Sequence, residues 1–423
     1  MAPDERSISE RRRIVVDAMN IALLQGTGVA TYARSLCRNL SLLNIDVQLL
    51  YGDCGVAARQ WFHKRPAAVR YAERLAKLAV QAVPAQVGPG AASPSADRSS
   101  VDGVSTHWNA PYVFSRPSLR LTWSRFQSIR NVMHADAAHW TYPVPVHLNR
   151  AANIYTLHDL VPLKLPETTL DNKRAYHAMI RKITQTADLI VTVSEQSKAD
   201  IHELFDVADD RVVNTYQDVD IPADLIDESM EIVAGALQDD FGLEVEQFLL
   251  FYGTIEPKKN VGRLIEAYLS SGLDLPLVVV GKDGWLIENE LRAYHAYLAR
   301  PDGPRRILRL PYVTRAQLVR LTRAALAVTF PSIYEGFGLP LVEAMLCGTP
   351  LLTSNQGAMR EIAGDAALLV NPYDVVSIRE GLQRIVAEPS LRADLVAAGR
   401  VRAEIFSSAA YRSRLLDAYA RIR

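Results

Sequence analysis

Two glutamates, Glu335 and Glu343, bracket the glycine-rich string Gly336-Phe337-Gly338-Leu339-Pro340. Gly336 and Gly338 let backbone N–H groups approach a ligand closely, and those donors at a helix N-terminus make a site for phosphate. A phosphate flanked by two carboxylates suits a nucleotide sugar, one carboxylate taking sugar hydroxyls and the other ribose hydroxyls. The competing reading is a plain strand-to-helix turn with two solvated glutamates. A second cluster, Gly253-Thr254-Ile255-Glu256-Pro257-Lys258-Lys259-Asn260, offers two lysines as point charges for a diphosphate. A third is His158-Asp159, at the end of the apolar run Ala152 to Leu157. Asp159 there would orient His158 or raise its basicity.

Each cluster follows a short apolar run that reads as a buried strand. Ala324 to Phe330 precedes the glutamate string, and Pro331-Ser332 breaks it. Pro340 suits the first turn of a helix, and Gly348 with Pro350 ends that helix. Gln247 to Tyr252 leads to the lysines. Further strands are expected at Arg13–Asp17, Val47–Tyr51, Ala187–Ser194, Pro276–Gly281, Arg305–Leu310 and Thr349–Thr353, with helical patterns between them. Alternation of this kind predicts parallel sheets with right-handed crossovers. In open sheets of this class ligands bind outside the carboxyl ends of the strands, where all three clusters fall.

Composition bounds the rest. The 423 residues suffice for two or three domains. Lys plus Arg equals Asp plus Glu at 47 each, and nothing in that balance points to nucleic acid. Cys37, Cys54 and Cys347 are too scattered for a disulfide framework or a zinc site, which fits a reducing compartment. No apolar run reaches the roughly 18 residues of a membrane span, and the first residues do not read as a signal peptide. Arg11-Arg12-Arg13 is either a contact for an anionic membrane surface or the solvated flank of the first strand. Within the stretch from about Gly55 to Ser128, Pro66 to Val83 has helical patterning and Pro84 to Gly103 reads as a mobile loop; the stretch is a region for the acceptor, a membrane-docking surface or a plain surface insertion. Trp140 is a candidate platform for an acceptor sugar, or an aromatic packed at a strand end. Asp218-Val219-Asp220 mimics a D-x-D metal motif, a reading its setting disfavours.

The string Glu335 to Glu343 resembles the E-x7-E signature of retaining glycosyltransferases, and the segment around it is similar to family four of that class. Thr156-Leu157-His158-Asp159-Leu160-Val161-Pro162 resembles the same family's central catalytic strand. The resemblance implies the GT-B fold: two Rossmann-like α/β domains facing across a cleft. The expected division is 1–222 and 223–407, with a last helix, 408–423, crossing back onto the first domain. It implies His158 and Glu335 at the reacting carbon, and Lys258, Lys259, Phe337, Gly338, Leu339 and Glu343 on the donor. Gly26 and Gly28 would face the donor's phosphates from the other wall. The family usually has an arginine after the first glycine of the lysine cluster; Thr254 stands there, with Lys258 as substitute cation.

The implied activity is metal-independent, cofactor-free transfer of a hexose with retention of configuration. The lysine string looks most like the branch that builds bacterial surface polysaccharides, many of whose members use GDP-mannose. UDP-glucose and dTDP-rhamnose stay open as donors, as does a non-catalytic sugar-nucleotide-binding module. The implied acceptor is a glycan, or one carried on a polyprenyl diphosphate. That would place the enzyme in the cytoplasm, peripheral to the inner face of the membrane. A Rossmann oxidoreductase is excluded, because Thr31 replaces the third glycine after Gly26-x-Gly28.

Overall fold

The computed structural model describes residues 12–21, 28–52, 82–87, 101, 103, 104, 106–111, 113, 114, 126–299 and 306–422. Gly26, Cys54 and most of the 66–103 region lie outside the described residues.

The first domain is built on an eight-stranded sheet. In chain order its strands are β1 (Arg13–Asp17), β2 (Asp46–Tyr51), β3 (Ala85–Val87), β4 (Thr106–Asn109), β6 (Ala137–Trp140), β8 (Ala152–Thr156), β9 (Leu189–Thr192) and β10 (Val212–Asn214). The spatial order is β10-β9-β8-β6-β1-β2-β4-β3, parallel except at the β3–β4 edge. A separate parallel pair joins β5 (Gln127–Ile129) to β7 (Val146–Leu148). The second domain carries a six-stranded, all-parallel sheet: β11 (Leu249–Tyr252), β12 (Leu277–Val280), β13 (Ile307–Leu310), β14 (Ala327–Phe330), β15 (Leu351–Ser354) and β16 (Leu368–Val370). Its order is β13-β12-β11-β14-β15-β16. The central strands LLFY, LVVV, AVTF and LIVT are buried along their whole length, as apolar runs covered on both faces must be.

Strand order reverses between β1 and β6 in the first sheet and between β11 and β14 in the second. Loops leaving the two sides of such a reversal diverge and open a crevice at the carboxyl ends. The lysine loop leaves β11 and the glutamate loop leaves β14, so the second domain's crevice holds both. His158 follows β8, two strands from β1.

The chain crosses between domains twice. The outward crossing runs from β10 through Asp218 and Asp220, and the return through Phe406 into the helix Ser408–Ala420. The two crossings touch: Val219 N–H donates to the Phe406 carbonyl at 3.1 Å. The returning helix lies against the helix Gly28–Leu42. Its Ser408 hydroxyl donates to Asp218 at 2.8 Å, and Arg412 donates to the Asn39 side chain at 3.1 Å. Arg12 reaches the Tyr419 carbonyl at 2.9 Å, and Arg13 pairs with Asp46 at 2.8 Å. These two members of the basic cluster are structural ties. The D-x-D carboxylates are also ties, because Arg38 pairs with Asp218 at 3.1 Å and with Asp220 at 2.9 Å.

Trp140 is fully buried, with its indole N–H on Asn153 at 3.1 Å and its ring packed near Phe114 and Tyr155. It is not a platform for a sugar. β6 lies between β1 and β8, inside a sheet covered on both faces, and that decides between the two sequence readings.

Candidate active site

The site is built from loops whose positions are fixed by short polar ties. After β14, the Ser332 hydroxyl lies 2.9 Å from the Lys258 carbonyl and 2.7 Å from Glu335 Oε1. Ile333 N–H donates to the Lys258 carbonyl at 2.7 Å. Asn260, buried with φ 64°, donates to the carbonyls of Pro331 and Pro372 at 2.9 and 2.7 Å. Asparagine tolerates this left-handed backbone better than most residues. The lysine and glutamate loops are therefore one rigid unit.

Within it, Glu335 is 7% exposed and faces both lysines. Lys259 Nζ stands 2.5 Å from Oε1 and Lys258 Nζ 3.5 Å from Oε2. Lys258 also lies 3.8 Å from Glu256 and 3.8 Å from Asp159 of the first domain. Burial opposes the charge on Lys258, yet Glu335, Asp159 and Glu256 hold its ammonium above the ordinary lysine range. Burial would likewise raise Glu335, but Lys258 and Lys259 keep its carboxyl below the usual value. The result is a desolvated cluster of fixed charges, able to stabilise an anion that forms beside it.

The helix Leu339–Cys347 follows, capped by Gly338 at φ 93° and closed by Gly348 at φ 69°. A side chain at 338 would press on Met359, its Cβ 2.5 Å from the methionine methyl. The Phe337 ring is buried at the edge of Phe406, so what Phe337 offers the cleft is its backbone. Glu343, one turn into the helix, pairs with Arg315 at 2.5 Å. Arg315 was not among the sequence candidates. It opens the helix Arg315–Ala324 after β13, where Thr314 and Gln317 form a capping box, and that box was legible as Thr-x-x-Gln.

Across the cleft, His158 Nε2 donates to the Thr141 carbonyl at 2.9 Å, leaving Nδ1 free to accept. Tyr32 packs edge-on to the imidazole at 4.7 Å. Desolvation lowers the pKa of His158 against the opposing pull of Asp159, so the ring is held neutral. Thr141 is itself anchored, its N–H donating to the buried carboxylate of Asp17. Gly28 lies opposite Leu339, and a Cβ at 28 would stand 3.5 Å from the leucine methyl. His158, Asp159 and Gly28 thus meet Lys258, Glu335 and Leu339 across one gap. Glu343 lies further along the same helix.

Comparison with known proteins agrees with this architecture. The family model described as Glycosyltransferase Family 4 matches residues 26–220, and that described as Glycosyl transferases group 1 matches residues 238–402. O-antigen chain mannosyltransferase B of Escherichia coli is 32% identical over 281 residues, 65% of this chain and 71% of the relative. Serotype-specific mannosyltransferase WbdA of Escherichia coli is 29% identical over 65% of this chain but only 34% of its own, longer sequence. Among solved structures, Anabaena HepE in complex with UDP and glucose superposes with a TM-score of 0.68 over 97% of this chain and all of that one. WaaG, a glycosyltransferase involved in lipopolysaccharide biosynthesis, gives 0.61 over 96% of this chain and 98% of its own. At 14% and 16% identity these two establish the fold, which is the two-domain α/β architecture expected from the sequence. The chain belongs to the family-four glycosyltransferases and has the GT-B fold.

Proposed function

We propose that this glycosyltransferase moves mannose from GDP-mannose to a growing glycan, carried on a polyprenyl diphosphate, with retention of configuration. The observation that carries the reading is the Lys258–Glu335–Lys259 cluster, whose Lys258 reaches Asp159, the neighbour of His158, across the cleft at 3.8 Å. The names of the two Escherichia coli relatives support mannose as the sugar.

In this reading the donor diphosphate lies beside Lys258, Lys259 and the Gly338 and Leu339 amides. The lysines release Glu335 to the diphosphate's own sugar, whose hydroxyls it holds. Glu343 takes the ribose hydroxyls, and Gly28 closes over the phosphates from the first domain. As the bond from the anomeric carbon to the phosphate oxygen breaks, the electron pair stays on that oxygen, and the lysines stabilise the negative charge developing there. Two fixed ammonium groups supply the charge a divalent cation would otherwise bring, so transfer is proposed to be metal-independent.

Retention by double displacement needs a free carboxylate behind the anomeric carbon. Asp159 is poorly suited, because its Oδ1 accepts the Val161 N–H at 3.2 Å and its Oδ2 faces Lys258. A front-face path fits better: the departing phosphate takes the acceptor's proton, and the acceptor oxygen bonds to the same face of the sugar. Neutral His158 accepts a sugar hydroxyl hydrogen bond beside the reacting carbon.

No helix among the described residues is long and apolar enough to cross a membrane. A polyprenyl-linked acceptor would bring the protein to the inner face of the membrane as a peripheral contact. The test is transfer to a lipid-linked glycan acceptor from GDP-mannose, UDP-glucose and dTDP-rhamnose, with and without chelator, and NMR of the new anomeric centre. An α product from α-linked GDP-mannose, unaffected by chelator, supports the proposal. A β product, or a different donor preferred, overturns the mechanism or the sugar respectively.

A further inference from the structure

Glu361 sits on the second domain, in the helix Gly357–Ala363 after β15, yet its carboxylate closes a helix of the first domain. Oε1 accepts the Glu195 N–H at 2.7 Å and Oε2 accepts the Gln196 N–H at 2.9 Å. These are the first two N–H groups of the helix Glu195–Leu204, and Ser194 caps the third, on Ser197, at 3.0 Å. The leading N–H groups of a helix have no partner within it and carry the positive end of its dipole. Here two of them are satisfied from the other domain.

That helix is the plate to which both walls of the cleft are fastened. The Ser197 hydroxyl donates to the His158 carbonyl at 2.7 Å and lies 3.4 Å from the Gly336 carbonyl. The Tyr334 hydroxyl donates to Asp200 on the same helix. His158 and the residues on either side of Glu335 are thus held through one ten-residue element. Glu361 is braced from behind, since Arg402 Nε donates to the Ile362 carbonyl at 3.0 Å and its Nη2 to the Glu361 carbonyl.

Tyr216 lies in the outward crossing between domains, where the backbone is left-handed at φ 54°, and burial with the nearby charge of Glu361 pushes its phenol up. Tyr216 packs edge-on to Phe406 of the return crossing at 5.4 Å, and Phe406 packs edge-on to Phe337 of the glutamate loop at 5.3 Å. Both crossings and the site loop therefore form one connected set of ring contacts.

We propose that Glu361 is a positioning residue for glycosyl transfer: it locks the helix Glu195–Leu204 onto the second domain and thereby sets His158 against Glu335. The inference rests on the transferase reading of the cleft. Glu361 touches neither reactant, so its loss opens the gap without disturbing the lysines that hold the donor.

The experiment compares the full chain with Glu361→Ala, Glu361→Gln and Ser229→Ala, the last removing a helix cap that lies within the second domain alone. Glu361→Ala is expected to lower kcat by at least about tenfold, because a small misplacement of reacting groups is costly. The nucleotide dissociation constant should stay near wild type, and donor hydrolysis should rise relative to transfer. Its radius of gyration by solution scattering should rise above wild type, with Glu361→Gln intermediate and Ser229→Ala unchanged. The proposal is overturned if Glu361→Ala keeps the wild-type radius and hydrolysis ratio, or if its nucleotide affinity falls in step with kcat. Scattering needs no substrate, so a wild type without transfer activity would refute the transferase reading while the clamp was still judged by the radius.

Discussion

Gly336 lies against the carbonyl oxygen of His158, so close that a Cβ on residue 336 would stand 2.1 Å from it. The contact joins the two domains at the proposed reaction centre, and the obstacle is backbone, which cannot turn aside as a side chain can. Gly336→Ala must therefore part the two walls. Its kcat should fall about 100-fold, the usual cost of a misplacement near 1 Å. Nucleotide affinity should persist, because the lysines and Glu343 all lie in the second domain. Steady-state kinetics with a parallel binding titration checks both halves.

Lys258 is the cation shared by Asp159, Glu256 and Glu335. Lys258→Met removes it and leaves Asp159 and Glu256 beside Glu335 with Lys259 as the remaining cation of the cluster, a change worth about 3–5 kcal/mol when a buried pair is broken. The pH dependence has a definite sign. Glu335 is held below its ordinary value, so its pairing stabilises the fold above that value and the benefit is lost as pH falls through the lowered one. Urea unfolding at pH 7 should show a large loss in Lys258→Met, and the gap to wild type should narrow on acidification.

Arg315 and Glu343 form a pair that is partly open to solvent, with side-chain exposures of 43% and 14%. A pair of this kind adds about 0–1 kcal/mol to stability. Arg315→Ala should barely move the melting temperature. If Arg315 holds Glu343 in place for the ribose, the donor KM should rise several-fold with kcat unchanged, which separates donor binding from chemistry.

Asp17 is fully buried beneath Thr141, and burial raises its pKa to about 6 despite the N–H groups that donate to it. The folded value lies above the unfolded one, so this contribution is fully present below about pH 4 and lost as pH rises through about 6. Asp17→Asn removes that titration. Between pH 4 and pH 7 the stability of Asp17→Asn relative to wild type should rise by up to about 3 kcal/mol, at about 1.4 kcal/mol per pKa unit. Paired denaturant titrations at the two pH values measure the difference directly.

Most of the fold was legible because parallel strands buried on both faces leave continuous apolar runs, such as Leu277–Val280 and Ala327–Phe330. Helix ends were legible where a glycine or proline marks them, as at Pro340 and Gly348. Glu335, Glu343, the lysine pair and His158 carried a family pattern and a strand-end position, so they could be nominated without coordinates. What the sequence hid were relationships set by the approach of two domains. Nothing local in Glu361-Ile362-Ala363 says that its carboxylate will cap a helix 166 residues away in sequence. Nothing around Arg315 in the sequence points to Glu343; the adjacency of the helix Arg315–Ala324 to the helix Leu339–Cys347 turns it there. Trp140 stayed open between its two readings for a related reason: exposure depends on which strands flank β6, and sheet order is not written in the strand itself.

The proposed donor site puts a guanine nucleotide sugar against the Lys258, Lys259 and Glu343 side of the cleft. Its most direct test is the thermal stability of the wild type and of Glu343→Ala with GDP, UDP, dTDP and ADP. GDP at a hundredfold excess over its dissociation constant should stabilise the wild type by about 2.7 kcal/mol, more than the other three at equal concentration. Glu343→Ala should lose that gain. Stabilisation by none of the four, or an equal shift in wild type and variant, would rule out this donor site.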